Sequence, residues 1–206
     1  MLKKVFIFLF VVLSMQVNAQ FGYGFTASTD LYSRYVNPKD NILSPSSGSA
    51  LLNLGAGPKI WIGGKKFSFS AEGQAVLGFL SLSSGDYKGL GSISFPVLGK
   101  FNFKGLSGFN SEGQTGFSIG GGIQWSKTEF FGLQDDAKSK GVIRDYFPTY
   151  VVQLGWGFGV SGFGLQGIAR YGINPDDSSS NTLNIGFQYD FNLPLLKRID
   201  NPESAL

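Results

Sequence analysis

From Phe21 onward, hydrophobic and polar positions alternate with a period of two. Phe21, Tyr23, Phe25, Ala27, Thr29 and Leu31 share one face, while Gly22, Gly24, Thr26, Ser28 and Asp30 share the other. The last such segment is cleaner still, with Leu183, Ile185, Phe187, Tyr189, Phe191 and Leu193 set against Thr182, Asn184, Gly186, Gln188, Asp190 and Asn192. Strict alternation over these lengths specifies a β-strand with one apolar and one polar face. Six more segments lie between, at about 50–62, 67–82, 90–103, 115–130, 146–160 and 163–173. Their breaks carry turn chemistry: Gly63-Gly64, Gly85-Asp86, Ser161-Gly162 and Asn174-Pro175-Asp176-Asp177. A helical reading fails on the 30 glycines, each of which would cost a helix interior about 1 kcal/mol. Eight evenly spaced strands predict an all-β, antiparallel up-and-down barrel, whose closure removes the exposed edges of an open sheet.

Which face is inside follows from volume. In the fifth segment the bulky face is Phe117, Ile119, Gly121, Ile123 and Trp125; in the sixth it is Tyr150, Val152, Leu154, Trp156, Phe158 and Val160. An eight-stranded interior is only wide enough to be filled by side chains, so eight rows of Phe, Trp and Leu would overfill it, whereas small polar residues fit. A soluble exterior would also need Lys, Glu and Asp along each strand, and the opposite faces are mostly Gly, Ser, Asn and Gln. The bulky face therefore belongs in lipid. Only Lys127 and Glu129 bring charge onto it, beyond Trp125, as expected where a midplane Lys or Arg costs roughly 2–4 kcal/mol. Phe21, Tyr23, Phe67, Phe69, Phe101 and Phe103 gather at one rim, and Tyr35, Trp125 and Tyr146 at the other, as two interfacial girdles.

The N-terminus carries an address. Lys3 and Lys4 precede the apolar run Val5–Leu13, and Val17-Asn18-Ala19 offers small residues ahead of Gln20. Residues 1–19 thus read as a cleaved secretory signal peptide, the run being too short for a spanning helix of about 20 residues. Loss of Lys3 and Lys4 lowers the net charge from +3 to +1, which removes the basic excess that would suggest nucleic acid. With no cysteine and no histidine, there is no thiol nucleophile, no disulfide framework and no imidazole base. The mature chain divides into a barrel, 20–193, and a short tail, 194–206.

A signal peptide followed by eight strands, lipid-facing outside and polar within, resembles the small outer-membrane β-barrels of Gram-negative envelopes. The plan is similar to the OmpX type and to the membrane domain of OmpA; the likeness is architectural and covers residues 20–193. It implies an outer-membrane location, a periplasmic tail and a monomer surrounded by outer-membrane lipid and lipopolysaccharide. Short connections at 63–66 and 161–162 then become periplasmic turns, and 37–49, 83–89, 131–145 and 174–181 become external loops. The connection 104–114 is long for such a turn and contains Leu106 and Phe109, so it either folds back on the rim or hides a misplaced strand end. Members of the class often end on an aromatic residue, whereas Phe191 is followed by Pro194–Leu206, so insertion would have to use the internal copy Ile185–Phe191.

The polar face places seven charges in the lumen: Asp30, Arg34, Lys59, Glu72, Lys100, Arg170 and Asp190. Closing the third hairpin around Asp86 sets Glu72 opposite Lys100, and closing the second at Gly63-Gly64 brings Lys59 diagonally close to Glu72. A near-balanced set of this kind is expected to plug the lumen; its alternatives are a narrow gated pore or a carboxylate pair used in catalysis. Gly155, Gly157 and Gly159 point inward, making room for Trp61 or Arg170, or else a small ligand pocket. The two G-x-G-x-x-G matches at 157–162 and 162–167 open no helix and carry no dinucleotide site. Outside, solvated loop charge is the expectation; its alternatives are contact of Lys127, Lys138, Lys140 and Arg144 with lipopolysaccharide phosphates, or of Asp176-Asp177 in the fourth loop with divalent cations. No spacing specifies a metal or any other cofactor. The function expected is a non-enzymatic structural or surface-interaction barrel; a lipid A-modifying enzyme is the remaining alternative, although the enzymes resembling this fold use a histidine.

Overall fold

A computed structural model describes residues 19–38, 47–83, 89–110, 112–139 and 141–200, excepting the side chains at 81–83, 137 and 197–200. Residues 1–18 of the expected signal peptide, the turn around Asp86, Lys140 and the residues from Asn201 onward lie outside the described residues. Nine strands follow one another: β1 Gln20–Val36, β2 Ser47–Gly63, β3 Phe67–Gly73, β4 Ala75–Ser83, β5 Leu90–Lys104, β6 Gln114–Thr128, β7 Phe147–Val160, β8 Phe163–Ile173 and β9 Asn181–Asn192. β3 and β4 are one staggered strand interrupted at Gln74, because both keep a single register against β2 and continue along β5. The break falls between Pro58 and Pro96 on the two flanking strands, neither of which can donate to the ladder. Gln74 keeps one rung, its N–H reaching Pro96 O at 3.0 Å.

With β3 and β4 taken as one strand, every sequential neighbour pairs antiparallel, and β1 pairs with both β2 and β9, so the ring closes as an eight-stranded up-and-down barrel. Its faces are inverted relative to a soluble barrel. Tyr150, Val152, Leu154 and Trp156 stand exposed, Trp156 at 72 %, while Lys59, Lys100, Gln153 and Arg170 on the inner face are at most 1 % exposed. Val76, Leu98, Val151 and Ile168 also point inward, so the lumen is polar but not uniformly so. The shortest strand of the ring, β8, once β3 and β4 are taken together as one, has 11 residues, which at about 3.3 Å per residue and a tilt near 40° spans about 25–30 Å. That is the height of an apolar membrane band. With backbone groups paired around a closed ring and bulky apolar residues outside, the barrel meets the two requirements for crossing a bilayer with strands.

One irregularity changes the faces near the end where the longer loops lie. The β1–β9 register shifts between Asp30 and Tyr32, and Leu52, at the same level on β2, takes φ 58°. Leu31 and Tyr32 are both exposed, as are Leu51 and Leu52. Each strand therefore reverses its alternation beyond this bulge. Tyr35, expected in the outer girdle, is consequently buried at 4 %. The first described residues of the expected tail form a short helix, Leu193–Asp200, which lies against the β7–β8 turn at the opposite rim.

Candidate functional site

The lumen is organised around Glu72. Its Oε2 accepts from Lys59 Nζ at 2.9 Å and Lys100 Nζ at 2.8 Å, and from Gln188 Nε2 at 3.0 Å. Lys59 Nζ also reaches Asp190 Oδ2 at 2.9 Å, and lies 5.2 Å from the centre of the Trp61 ring. Gln188 ties the pair together, accepting from Lys100 at 3.0 Å and donating to Asp190 Oδ1 at 2.9 Å. Buried ions cost several kcal/mol each unless paired and hydrogen-bonded, and two lysines against two carboxylates satisfy that demand.

A second tier extends from this centre towards the loop end. Gln153 Nε2 donates to Gln188 Oε1 at 3.0 Å, and Arg170 Nε donates to Gln153 Oε1 at 2.8 Å. Arg170 Nη1 reaches Gln124 Oε1 at 3.3 Å. Asp30 accepts from Asn184 Nδ2 at 2.8 Å. Gln166 bridges Ser118, whose hydroxyl donates to it at 2.6 Å, and Asp190, to which it donates at 3.0 Å. These glutamines carry the contacts between charges that lie too far apart to pair directly. Their signal in the sequence was their place on the polar face of the strands, but nothing there distinguished a linking amide from a small filler.

Three expectations about this site are corrected. Arg34 is not in the lumen: the face reversal after Leu31 turns it outward, where Nη2 donates to Asn181 Oδ1 at 3.0 Å. The hairpin registers are also exchanged. Lys59 stands directly across from Glu72, while Lys100 stands across from Ser70 and reaches Glu72 diagonally. Near the loop, Leu82 faces Leu90, the offset that a turn around Asp86 dictates; an irregularity between Gly78 and Leu82 then shifts the pairing by two residues. Gly155, Gly157 and Gly159 sit against Gln166, Ser118 and the backbone of Leu165 and Gly105, rather than against Trp61 or Arg170.

The turn end is closed by residues 105–110. A 3₁₀ turn, Gly105–Ser107, carries Leu106 into the barrel, and Leu106 and Phe109 are each 3 % exposed. Ser68 Oγ donates to Ser107 O at 2.6 Å, Ser107 Oγ to Lys65 O at 2.9 Å, and Asn192 Nδ2 to Gly108 O at 2.9 Å. Below Gly108 lies the buried Trp61. Of the two accounts of this long connection, the fold-back is the one realised.

At the loop end, Glu129 was expected on the lipid face but takes φ 50° and turns inward. Its Oε2 accepts from Arg144 Nε at 2.8 Å and from the Thr128 hydroxyl. The candidate headgroup cations thus have different settings. Arg144 is buried against Glu129, Lys127 lies 5.6 Å from the centre of the Tyr146 ring, and Lys138 meets Asp135 at 3.1 Å on the surface.

No family model and no curated protein matches the chain. Among solved structures, that of Neisserial surface protein A is similar to it, with a TM-score of 0.44 and 9 % identity over 85 % of this chain and 99 % of that one. The closed ring and inverted faces give this chain the plan of a small eight-stranded outer-membrane barrel. Among the described residues no group of three or more Asp, Glu, Cys or His is placed to hold a metal ion.

Proposed function

We propose that the protein is a non-enzymatic, monomeric barrel of the bacterial outer membrane, exported by cleavage of residues 1–19, with its loops as its working surface. The observation that carries this reading is the closed lumen. Lys59, Glu72, Lys100 and Asp190 cross the interior, and the 105–110 turn fills one end. The lumenal carboxylates are engaged with lysines and amides, which favours a structural role over acid–base chemistry. Connection lengths support one orientation: three residues separate β2 from β3 and two separate β7 from β8, whereas 18 separate β6 from β7. In barrels of this plan short turns belong to the periplasm and long loops to the cell surface, which supports a periplasmic side for the helix Leu193–Asp200. Lys127 and Lys138 then belong to the surface side, where lipopolysaccharide phosphates are the ligands suited to them; Arg144 is engaged by Glu129, and Lys140 lies outside the described residues.

Membrane fractionation with heat-modifiable gel mobility tests location and fold: an outer-membrane pool that migrates faster unboiled supports the reading, and a soluble periplasmic pool rejects it. Planar-bilayer recording tests the role. Wild-type protein is expected to show no stepwise conductance; regular steps would replace this reading with a small gated pore.

A further inference from the structure

At the turn end, three exposed lysines converge outside the barrel. Lys65 and Lys66 occupy the β2–β3 turn, and Lys104 ends β5, its N–H donating to Lys66 O at 2.8 Å. The turn is held from within by the Ser107 hydroxyl on Lys65 O, so the exposed lysine side chains start from a fixed backbone. Lys104 takes φ 53°, a left-handed conformation that a side chain rarely adopts. None of the three forms an ion pair with a described residue, unlike Lys138 and Arg144 at the other end, which meet Asp135 and Glu129.

Directly beside these lysines lies a continuous aromatic surface. Phe67 stacks on Phe101 at 5.8 Å and meets Phe103 at 5.2 Å, Phe69 lies edge-on to Phe101 at 5.5 Å, and Phe103 stacks on Phe117 at 4.3 Å. Phe69, Phe101 and Phe117 remain exposed. A contiguous apolar surface of rings ending in ammonium groups that form no ion pair with a described residue matches one occupant: acyl chains that lie on the rings, joined to an anionic phosphodiester at the level of the lysines.

We infer that Lys65, Lys66 and Lys104, with the phenylalanine surface beside them, form a binding site for an anionic phospholipid of the leaflet at the turn end. The inference rests on the membrane reading above. Flexible lysines suit it, since a mobile headgroup asks for point charges rather than a rigid bidentate fork. Basic residues at a membrane surface add attraction to anionic lipid residue by residue.

The full mature chain, delipidated in zwitterionic detergent, is titrated with phosphatidylglycerol or phosphatidylcholine and read by native mass spectrometry. Phosphatidylglycerol is expected to bind about tenfold or more tightly than phosphatidylcholine. That preference disappears in K65A/K66A/K104A and survives in K127A/K138A. Equal loss in both variants, or retention in the first, overturns the inference. Water-soluble glycerol phosphate is expected not to compete; if it displaces the lipid, the site is a phosphate site and the lipid assignment is wrong. Heat-modifiable mobility is checked for each protein, so a chain that never forms a barrel fails on the membrane reading and not on the lipid site.

Discussion

Glu72 Oε2 takes three donors at once, two of them ammonium groups. Removing its charge leaves Lys59 and Lys100 facing each other inside the barrel, with only Asp190 to compensate. Breaking a buried pair by deleting one partner costs about 3–5 kcal/mol, so Glu72→Gln is expected to lower the unfolding free energy by about that much. Urea titration of the barrel folded in phosphatidylcholine vesicles measures this; a loss under about 1 kcal/mol, the range of exposed ion pairs, would mean the lumen is far wetter than its packing indicates. Asp30, Lys59, Glu72, Lys100, Arg170 and Asp190 could be placed in the lumen from sequence, because a period of two assigns every residue of a regular strand to one face. Arg34 could not, since one bulged residue upstream reverses that assignment and leaves no mark in the composition. Glu129 was misplaced for the same kind of reason, its positive φ ending the alternation.

At the level of elements, the strands followed from alternation and turn residues, to within a few positions at each end. The register did not follow so directly. A turn fixes the pairing only up to the first irregularity, and the one between Gly78 and Leu82 exchanges which lysine faces Glu72. The 104–114 connection marked itself by carrying Leu106 and Phe109, which have no reason to stand in a solvated turn. Gly108 takes φ 80°, and a methyl group there would sit 2.9 Å from Trp61 Cδ1. Gly108→Ala is therefore expected to lift the turn out of the barrel end. In a Trp125→Phe, Trp156→Phe background, Trp61 fluorescence should become accessible to acrylamide; unchanged shielding would mean that the turn absorbs the methyl group in place. Gly162 plays a similar part for the C-terminal helix, with φ 87° and room so tight that a methyl group there would sit 2.8 Å from Leu195 Cβ. Gly162→Ala should free residues 193–200 to limited proteolysis while strands β1–β9 stay protected, an outcome that peptide mapping reads directly.

For the whole molecule, low charge and abundant glycine and phenylalanine become one consistent pattern: rings outside, ion pairs and amides inside, longer loops at one end. The inverted faces are the central claim, and Leu154→Arg on the outward face of β7 is expected to cost about 2–4 kcal/mol in vesicles. Accessibility of spin labels tests the claim most directly. Cysteines placed singly at Tyr150, Val152, Leu154, Trp156 and Phe158, labelled with a nitroxide in the refolded barrel, are probed by power saturation with oxygen and with a water-soluble nickel chelate. The account predicts that oxygen dominates at all five, with a maximum near Leu154 that falls towards both ends of the strand. A chelate-dominated signal at Leu154 would put the apolar face in water and contradict the inverted barrel.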